Sequence, residues 1–340
     1  MNVSGTLPRI FFLSFFLTMT SFCGAQTYTV TDLGTLPGGG SSGAKAINLS
    51  GEITGYAYDS SANTDVFVYS GGSMSDLGTL GGTIALGNGI NASGQVAGYS
   101  TNTSGTYHAF LSSGGSLFDI GDLGGGSAVA YAINDVGQVV GSAVTAGGAN
   151  HPFLYSNGQM TDLGTLGSPN NNNWWNVASG INKTGVVVGT SYDSHGNFFG
   201  FIWRNGTMTK MGTLGGSWSQ AYAINNKNQV VGLAYTKNGS AHAFLAINGV
   251  LHDLGTIAGP YSTTWGLGIN DAGVVVGQST FQSTYHAFVY SSGTMKDLNK
   301  LIPAGSGWVL LSANAINNLG QIAGEGLHNG KQRGFLLTPH

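Results

Sequence analysis

Charge is scarce in this sequence: 11 lysines and arginines and 14 aspartates and glutamates among 340 residues make 7% charged, against about 25% in ordinary globular domains. Neither nucleic acid nor an anionic membrane is an indicated partner, because both are recognised through clustered Lys and Arg. Cysteine occurs once, at Cys23, so no intramolecular disulfide can form and packing with sheet hydrogen bonds must hold the fold. Glutamate occurs twice, at Glu52 and Glu325, which leaves little for carboxylate catalysis. Stretches of 3.6-residue apolar periodicity are missing after residue 25, and 58 residues are Gly, costly inside a helix by about 1 kcal/mol each. Helices are thereby disfavoured throughout.

One long apolar run is present, Ile10 to Leu17, preceded by Arg9 and followed by Cys23-Gly24-Ala25. It is well short of the roughly 20 residues a membrane span needs. Residues 1–25 therefore read as a secretory signal peptide cut before Gln26, leaving residues 26–340 as one domain, secreted or extracellular, in the periplasm or at the cell surface. No membrane insertion is expected after cleavage. Phe22 stands where a lipoprotein signal needs a small residue. Removing Arg9 and the only cysteine leaves a disulfide-free chain with a net charge of about −4.

What the sequence does contain is a repeat. Tyr131 to Gly164 holds four runs rich in Ile, Val, Phe, Leu and Tyr, namely Tyr131 to Asn134, Gln138 to Ser142, His151 to Tyr155 and Gln159 to Leu163. Each is bounded by Gly, Asn, Ser or Asp, as strands are. Asn134-Asp135-Val136-Gly137 suits a type I turn followed by a left-handed residue, and Asn157-Gly158 suits a two-residue hairpin. The unit is a four-stranded antiparallel meander.

An Ile-Asn pair recurs with Ile at 47, 90, 133, 181, 224, 269 and 316, and a third-strand Phe at 67, 110, 153, 201, 244, 288 and 335. In the fifth copy Asn228 replaces the turn Gly, and Asn is the residue next most tolerant of left-handed backbone. The fourth-strand motif, Asp-Leu-Gly-Thr-Leu or a variant, appears at 32, before any Ile-Asn pair, and the chain ends on a third strand. One copy is thus split between the two ends. A linear array would leave an unpaired edge at each end. If Tyr28 to Leu36 completes the last sheet, both edges are satisfied, and four strands per 43 to 48 residues match a propeller blade. The fold expected is all-β, a seven-bladed β-propeller closed by its N-terminal strand.

The repeat resembles a bacterial family of extracellular repeat proteins, the HAF repeats. The triplet stands at His108-Ala109-Phe110, His242-Ala243-Phe244 and His286-Ala287-Phe288, and nearly so at His151-Pro152-Phe153. Copies one, four and seven depart from it, with Asp65-Val66-Phe67, Phe199-Gly200-Phe201 and Arg333-Gly334-Phe335. The resemblance implies secretion and a repeat fold; it names no substrate.

Eleven residues after each His stands an Asp, giving the pairs His108 with Asp119, His151 with Asp162, His242 with Asp253 and His286 with Asp297. Across a hairpin these lie diagonally on one face. Copy four has Phe199 and Lys210 instead; copy one has Asp65 and Asp76; copy seven offers Arg333, with Asp32 as its expected partner. The repeated pairs read as structural hydrogen bonds, because catalysis needs one asymmetric site and a metal needs three or four converging ligands. No catalytic residue, metal ligand or cofactor is assigned. Asp59, Asp193 and His195 lie outside the periodic pattern and are what a single-loop site would use.

Five of the six tryptophans, Trp174, Trp175, Trp218, Trp265 and Trp308, fall on loops between fourth and first strands. Tyr192 and other aromatics lie in or beside the loops between second and third strands, at the same end of the repeat. These six residues either pack between neighbouring repeats or form a stacking face, edged by Asn170 to Asn173, for a carbohydrate polymer or a cell-surface or matrix protein. A non-catalytic binding or adhesion module is the reading that follows. The alternative is a glycan-active hydrolase or lyase at the channel mouth, which requires carboxylates converging there.

Overall fold

Turn chemistry sets the strands. In the third repeat Gly137 takes φ 80°, and the Asn134 side-chain oxygen accepts from the Val136 and Gln138 amides. Asn228 takes φ 59°, and Asn157 and Gly158 take 52° and 79°, the positive values a two-residue hairpin requires. The computed structural model describes residues 1, 26–167 and 175–340. Residues 2–25 of the expected signal peptide, and 168–174 with Trp174 and Asn170 to Asn173, lie outside the described residues.

The chain builds four-stranded antiparallel sheets in succession. The third repeat runs Gly124–Ile133, Val139–Thr145, Asn150–Ser156 and Gln159–Asp162, each strand bonded to the next. Its first strand begins earlier than Tyr131, because Gly124 pairs with Thr145. The first and second repeats are further linked by one parallel bridge, Thr64 to Ile84. The last sheet takes its outer strand from the N-terminus: Tyr28–Asp32 runs antiparallel to Lys331–Pro339, with Asp32 opposite Phe335. That register matches Phe153 opposite Asp162. Among the described residues the only helix is the 3₁₀ turn Leu298–Lys300.

Packing lies between successive sheets. Ala97 and Ala109 of the second repeat meet Ala130, Val139 and Phe153 of the third in one buried cluster, and Ala323 of the seventh meets Ala44, Ile53 and Phe67 of the first in another. The seven third-strand Phe residues are all fully buried. The Asn of each Ile-Asn pair reaches the next repeat: Asn48 Nδ2 donates to the Asn91 carbonyl, Asn91 to Asn134, Asn134 to Asn182, Asn182 to Asn225, Asn225 to Asn270 and Asn270 to Asn317. Asn317 then donates to Asn48.

A β-bulge interrupts the first strand of every repeat. In the third, Ala130 pairs with Gly141 and Ala132 with Val140, so Tyr131 has no partner. The extra residues elsewhere are Lys45, Asn88, Ser179, Tyr222, Leu267 and Asn314. The opposing Gly makes room for the irregularity, since a Cβ on Gly141 would collide with the Val129 carbonyl and meet the Phe153 ring at 2.7 Å. A bulge re-aims the side chain it carries.

Candidate channel-mouth site

The seven bulged residues line one common cavity. It lies at the end where fourth strands lead into first strands and has a volume of about 490 Å³, with Trp175 and Val177 at its rim. A second cavity of about 320 Å³ lies beside it, walled by Tyr99, Tyr107 and Val129, and shares Asn88 and Tyr131 with the first. Trp175 is 55% exposed and Tyr131 36%, enough to offer ring faces to a ligand. Toward the opposite end the Ile residues of the Ile-Asn pairs form an apolar collar.

The mouth is close to neutral. Its one cation, Lys45, lies 3.1 Å from Glu325, whose other oxygen accepts from the Tyr56 hydroxyl at 3.0 Å. Gln332 donates in turn to that hydroxyl at 2.8 Å. Burial, then the charge and hydrogen bond of Glu325, push the Tyr56 hydroxyl well above the ordinary tyrosine range. A Cβ on Gly43 would meet both the Tyr56 ring and the Glu325 carboxylate, so the side chains close over a bare backbone. Asn88 and Asn314 donate to the carbonyls of Ala130 and Ala44, which fixes their amides at the channel wall. Burial raises the Tyr222 and Tyr131 hydroxyls further above the ordinary tyrosine range, and the Tyr222 hydroxyl donates to the Gln220 side-chain oxygen.

The His and Asp residues singled out by spacing meet within their own sheets. His Nδ1 to Asp Oδ2 distances are 2.7 Å for His108 with Asp119, 2.8 Å for His151 with Asp162, 2.9 Å for His242 with Asp253 and 2.8 Å for His286 with Asp297. Each Asp also caps the chain beyond it, as Asp119 does for the Gly121 amide. The partner of Asp32 is not Arg333 but His328, at 2.7 Å. The tight turn at Asn329 and Gly330 ends the second strand at His328, and Trp308 stacks flat on that ring at 4.7 Å. Arg333 instead donates to the Gly40 carbonyl. In the fourth repeat Lys210 sits 3.9 Å from the centre of the Phe199 ring, a cation–π contact in place of the imidazole–carboxylate pair.

The tryptophans are dispersed. Trp218 lies between Phe198 at 4.6 Å and Tyr235 at 4.4 Å, and Tyr192 stands 5.6 Å beyond Phe198. Trp265 meets Tyr285 edge-on at 5.9 Å, and Trp308 is engaged with His328 and Phe335. Of the described tryptophans only Trp175 borders the channel mouth. The non-periodic acids do not converge either. Asp59 accepts from the Ser61 and Asn63 amides, and Asp193 from those of His195 and Asn197. Glu325 is held by Lys45 and Tyr56. Among the described residues no three His, Cys, Asp or Glu side chains gather as a metal site.

The bulged residues escape a reading by strand alternation, because a bulge breaks the period of two. A signal was nevertheless present: each stands two places before an Ile-Asn pair, and it is the position that varies between Lys, Asn, Tyr, Ser and Leu.

No protein-family model matches the chain, and no curated protein matches it. Among solved structures it is similar to a puromycin hydrolase mutant complexed with PGG, with 11% identity, 83% of this chain and 50% of that chain covered and a TM-score of 0.54. It is also similar to YCF48 bound to D1 peptide, at 12% identity over 92% of this chain and 94% of that one, TM-score 0.50. For TolB from Acinetobacter baumannii the identity is 13%, the coverage 71% of this chain and 61% of that chain, and the TM-score 0.48. The chain therefore spans half of the hydrolase's length and 61% of TolB's. At these identities the likeness shows the fold alone: all-β and β-propeller-like, in four-stranded antiparallel sheets.

Proposed function

We propose that this is a secreted, non-catalytic binding module of the HAF-repeat type, a seven-bladed propeller closed by its N-terminal strand, that takes a neutral carbohydrate polymer across the channel mouth. Secretion rests on the pattern of Arg9, the run Ile10 to Leu17 and Cys23-Gly24-Ala25. Ring closure is supported by the pairing of Tyr28–Asp32 with Lys331–Pro339 and by the Asn317 bond back to Asn48.

The observation that carries the ligand is the wall shared by the two cavities. Tyr131 and Asn88 stand between Trp175 and Tyr222 on one side and Tyr99 and Tyr107 on the other. Aromatic faces take the CH faces of sugar rings by stacking, and neighbouring amides and hydroxyls take the hydroxyl groups. Lys45 is already matched by Glu325, so the mouth selects for no net charge. Two adjoining cavities suit a chain that runs through the site.

Binding of neutral oligosaccharides of increasing length, followed by calorimetry, tests this. Affinity is expected to rise until both cavities are filled, Tyr131→Ala to weaken binding at every length, and Tyr99→Ala to weaken only the longer ligands. If no neutral glycan binds, or if all three proteins bind alike, the reading fails; capture of a surface protein that Tyr131→Ala abolishes would replace carbohydrate with a protein partner.

A further inference from the structure

In the first repeat acids stand at both positions where four other repeats pair a His with an Asp. Phe67 lies opposite Asp76 in the same register that sets Phe110 opposite Asp119, Phe153 opposite Asp162, Phe244 opposite Asp253 and Phe288 opposite Asp297. In those four the side chain two residues before the Phe is a His whose Nδ1 is 2.7 to 2.9 Å from the carboxylate. In the first repeat it is Asp65. The backbone therefore places Asp65 and Asp76 diagonally across the hairpin, close enough for the charge of Asp76 to act on Asp65.

Asp65 is only 7% exposed, and among the described residues its carboxylate takes part in no hydrogen bond or ion pair. Asp76 uses one oxygen to accept from the Gly78 amide; no described group bonds the other. A nearby acid, Asp59, is occupied with the amides of its own loop. Burial, then the charges of Asp76 and Asp59, push the Asp65 carboxyl up to about 6. The Asp65 side chain is thus largely withdrawn from water with no partner among the described residues, and a cation would offset the repulsion between the two acids.

We infer that Asp65 and Asp76 form a binding site for a divalent, oxygen-seeking cation of the calcium type, which fills in the first repeat the place that His108 and its equivalents fill elsewhere. Two carboxylates supply up to four oxygens, and water and main-chain carbonyls supply the rest of the shell such an ion takes. The inference is independent of the carbohydrate reading, since the site belongs to a hairpin of the first sheet and shares no residue with the channel mouth.

The test is the melting temperature of the full chain, stripped with chelator and then given calcium, with sodium chloride at matched ionic strength as control. Calcium at millimolar concentration is expected to raise the melt by about 2 °C or more, and to leave Asp65→Asn and Asp65→His unmoved. Asp65→His is also expected to melt higher than the stripped parent, because it restores the pair seen in four other repeats. Calorimetric titration with calcium is expected to show a single binding event in the parent and none in Asp76→Asn, which keeps Asp65. An unmoved parent, an equal response in Asp65→Asn, or an equal response to sodium chloride would each overturn the inference.

Discussion

The side-chain amide of Asn317 donates to the carbonyl of Asn48 at 3.0 Å, joining residues 269 positions apart. It is the same bond that Asn91 receives from Asn48, and that each Ile-Asn pair makes with the next. Its oxygen meanwhile accepts from the Leu319 and Gln321 amides of its own turn, so one side chain both closes a turn and ties two sheets.

Asn317→Ala should therefore cost about 1 to 3 kcal/mol, the penalty for stranding buried backbone partners. Asn134→Ala, in the middle of the chain, makes the matching contacts and should cost the same. Urea unfolding of the two variants measures this. A much smaller loss at Asn317 would mean that the first and last repeats separate readily.

Gly141→Ala should lower stability by about 2 to 3 kcal/mol through overpacking, because the new methyl has the Val129 carbonyl and the Phe153 ring in its way. Gly147→Ala is the control, with its nearest neighbour 3.8 Å off. Thermal melts of the two should differ by several degrees, and equal melts would refute the packing role given to the bulge.

A second set of bonds joins the outer turns. The amides of Ala92, Lys183, Asn226 and Asp271 donate to the side-chain oxygens of Asp135, Asn226, Asp271 and Asn318 in the following repeat. At Leu49 the side chain cannot accept, and it is 54% exposed. Leu49→Asn should supply the oxygen for the Asn318 amide and stabilise by about 0.5 to 1 kcal/mol, read as a higher urea midpoint with unchanged slope.

Asp271 makes this outer belt sensitive to acid. Partial burial alone would raise its carboxyl, but hydrogen bonds from Asn226 and Asn318 and the charge of Lys183 outweigh that and hold it below the usual carboxylate range. Folding thus favours the charged form, a contribution complete above about pH 4 and lost as pH falls through that value and below. Asp271→Asn should flatten the loss of stability on acidification there; an unchanged slope would remove Asp271 from the account.

Much of this architecture is legible in the residues. Asn228 in place of Gly, and Asn157 before Gly158, announce positive φ and are found with it. The His–Asp spacing of eleven is legible because hairpin geometry is fixed by the turn. Two things resisted. Tyr131 and its equivalents look like ordinary strand residues, and only three-dimensional pairing exposes them as unpaired. Analogy of position pairs Asp32 with Arg333, whereas the short turn at Asn329 and Gly330 delivers His328 instead. Exposure of individual tryptophans also depends on contacts between loops far apart in sequence, as with Trp218 between Phe198 and Tyr235.

The bulge in each first strand separates two burdens that most strands carry together. Ala130 and Ala132 keep the ladder, while Tyr131 answers to neither the ladder nor the buried core. Each repeat thereby donates one side chain freed from ladder duty, and at Asn88, Asn314 and Lys45 that side chain bonds a neighbouring repeat instead. The seven together set the lining of one cavity: exchanging Tyr, Asn, Lys or Leu there would change its shape and polarity, while the asparagines of the Ile-Asn pairs go on holding the same frame.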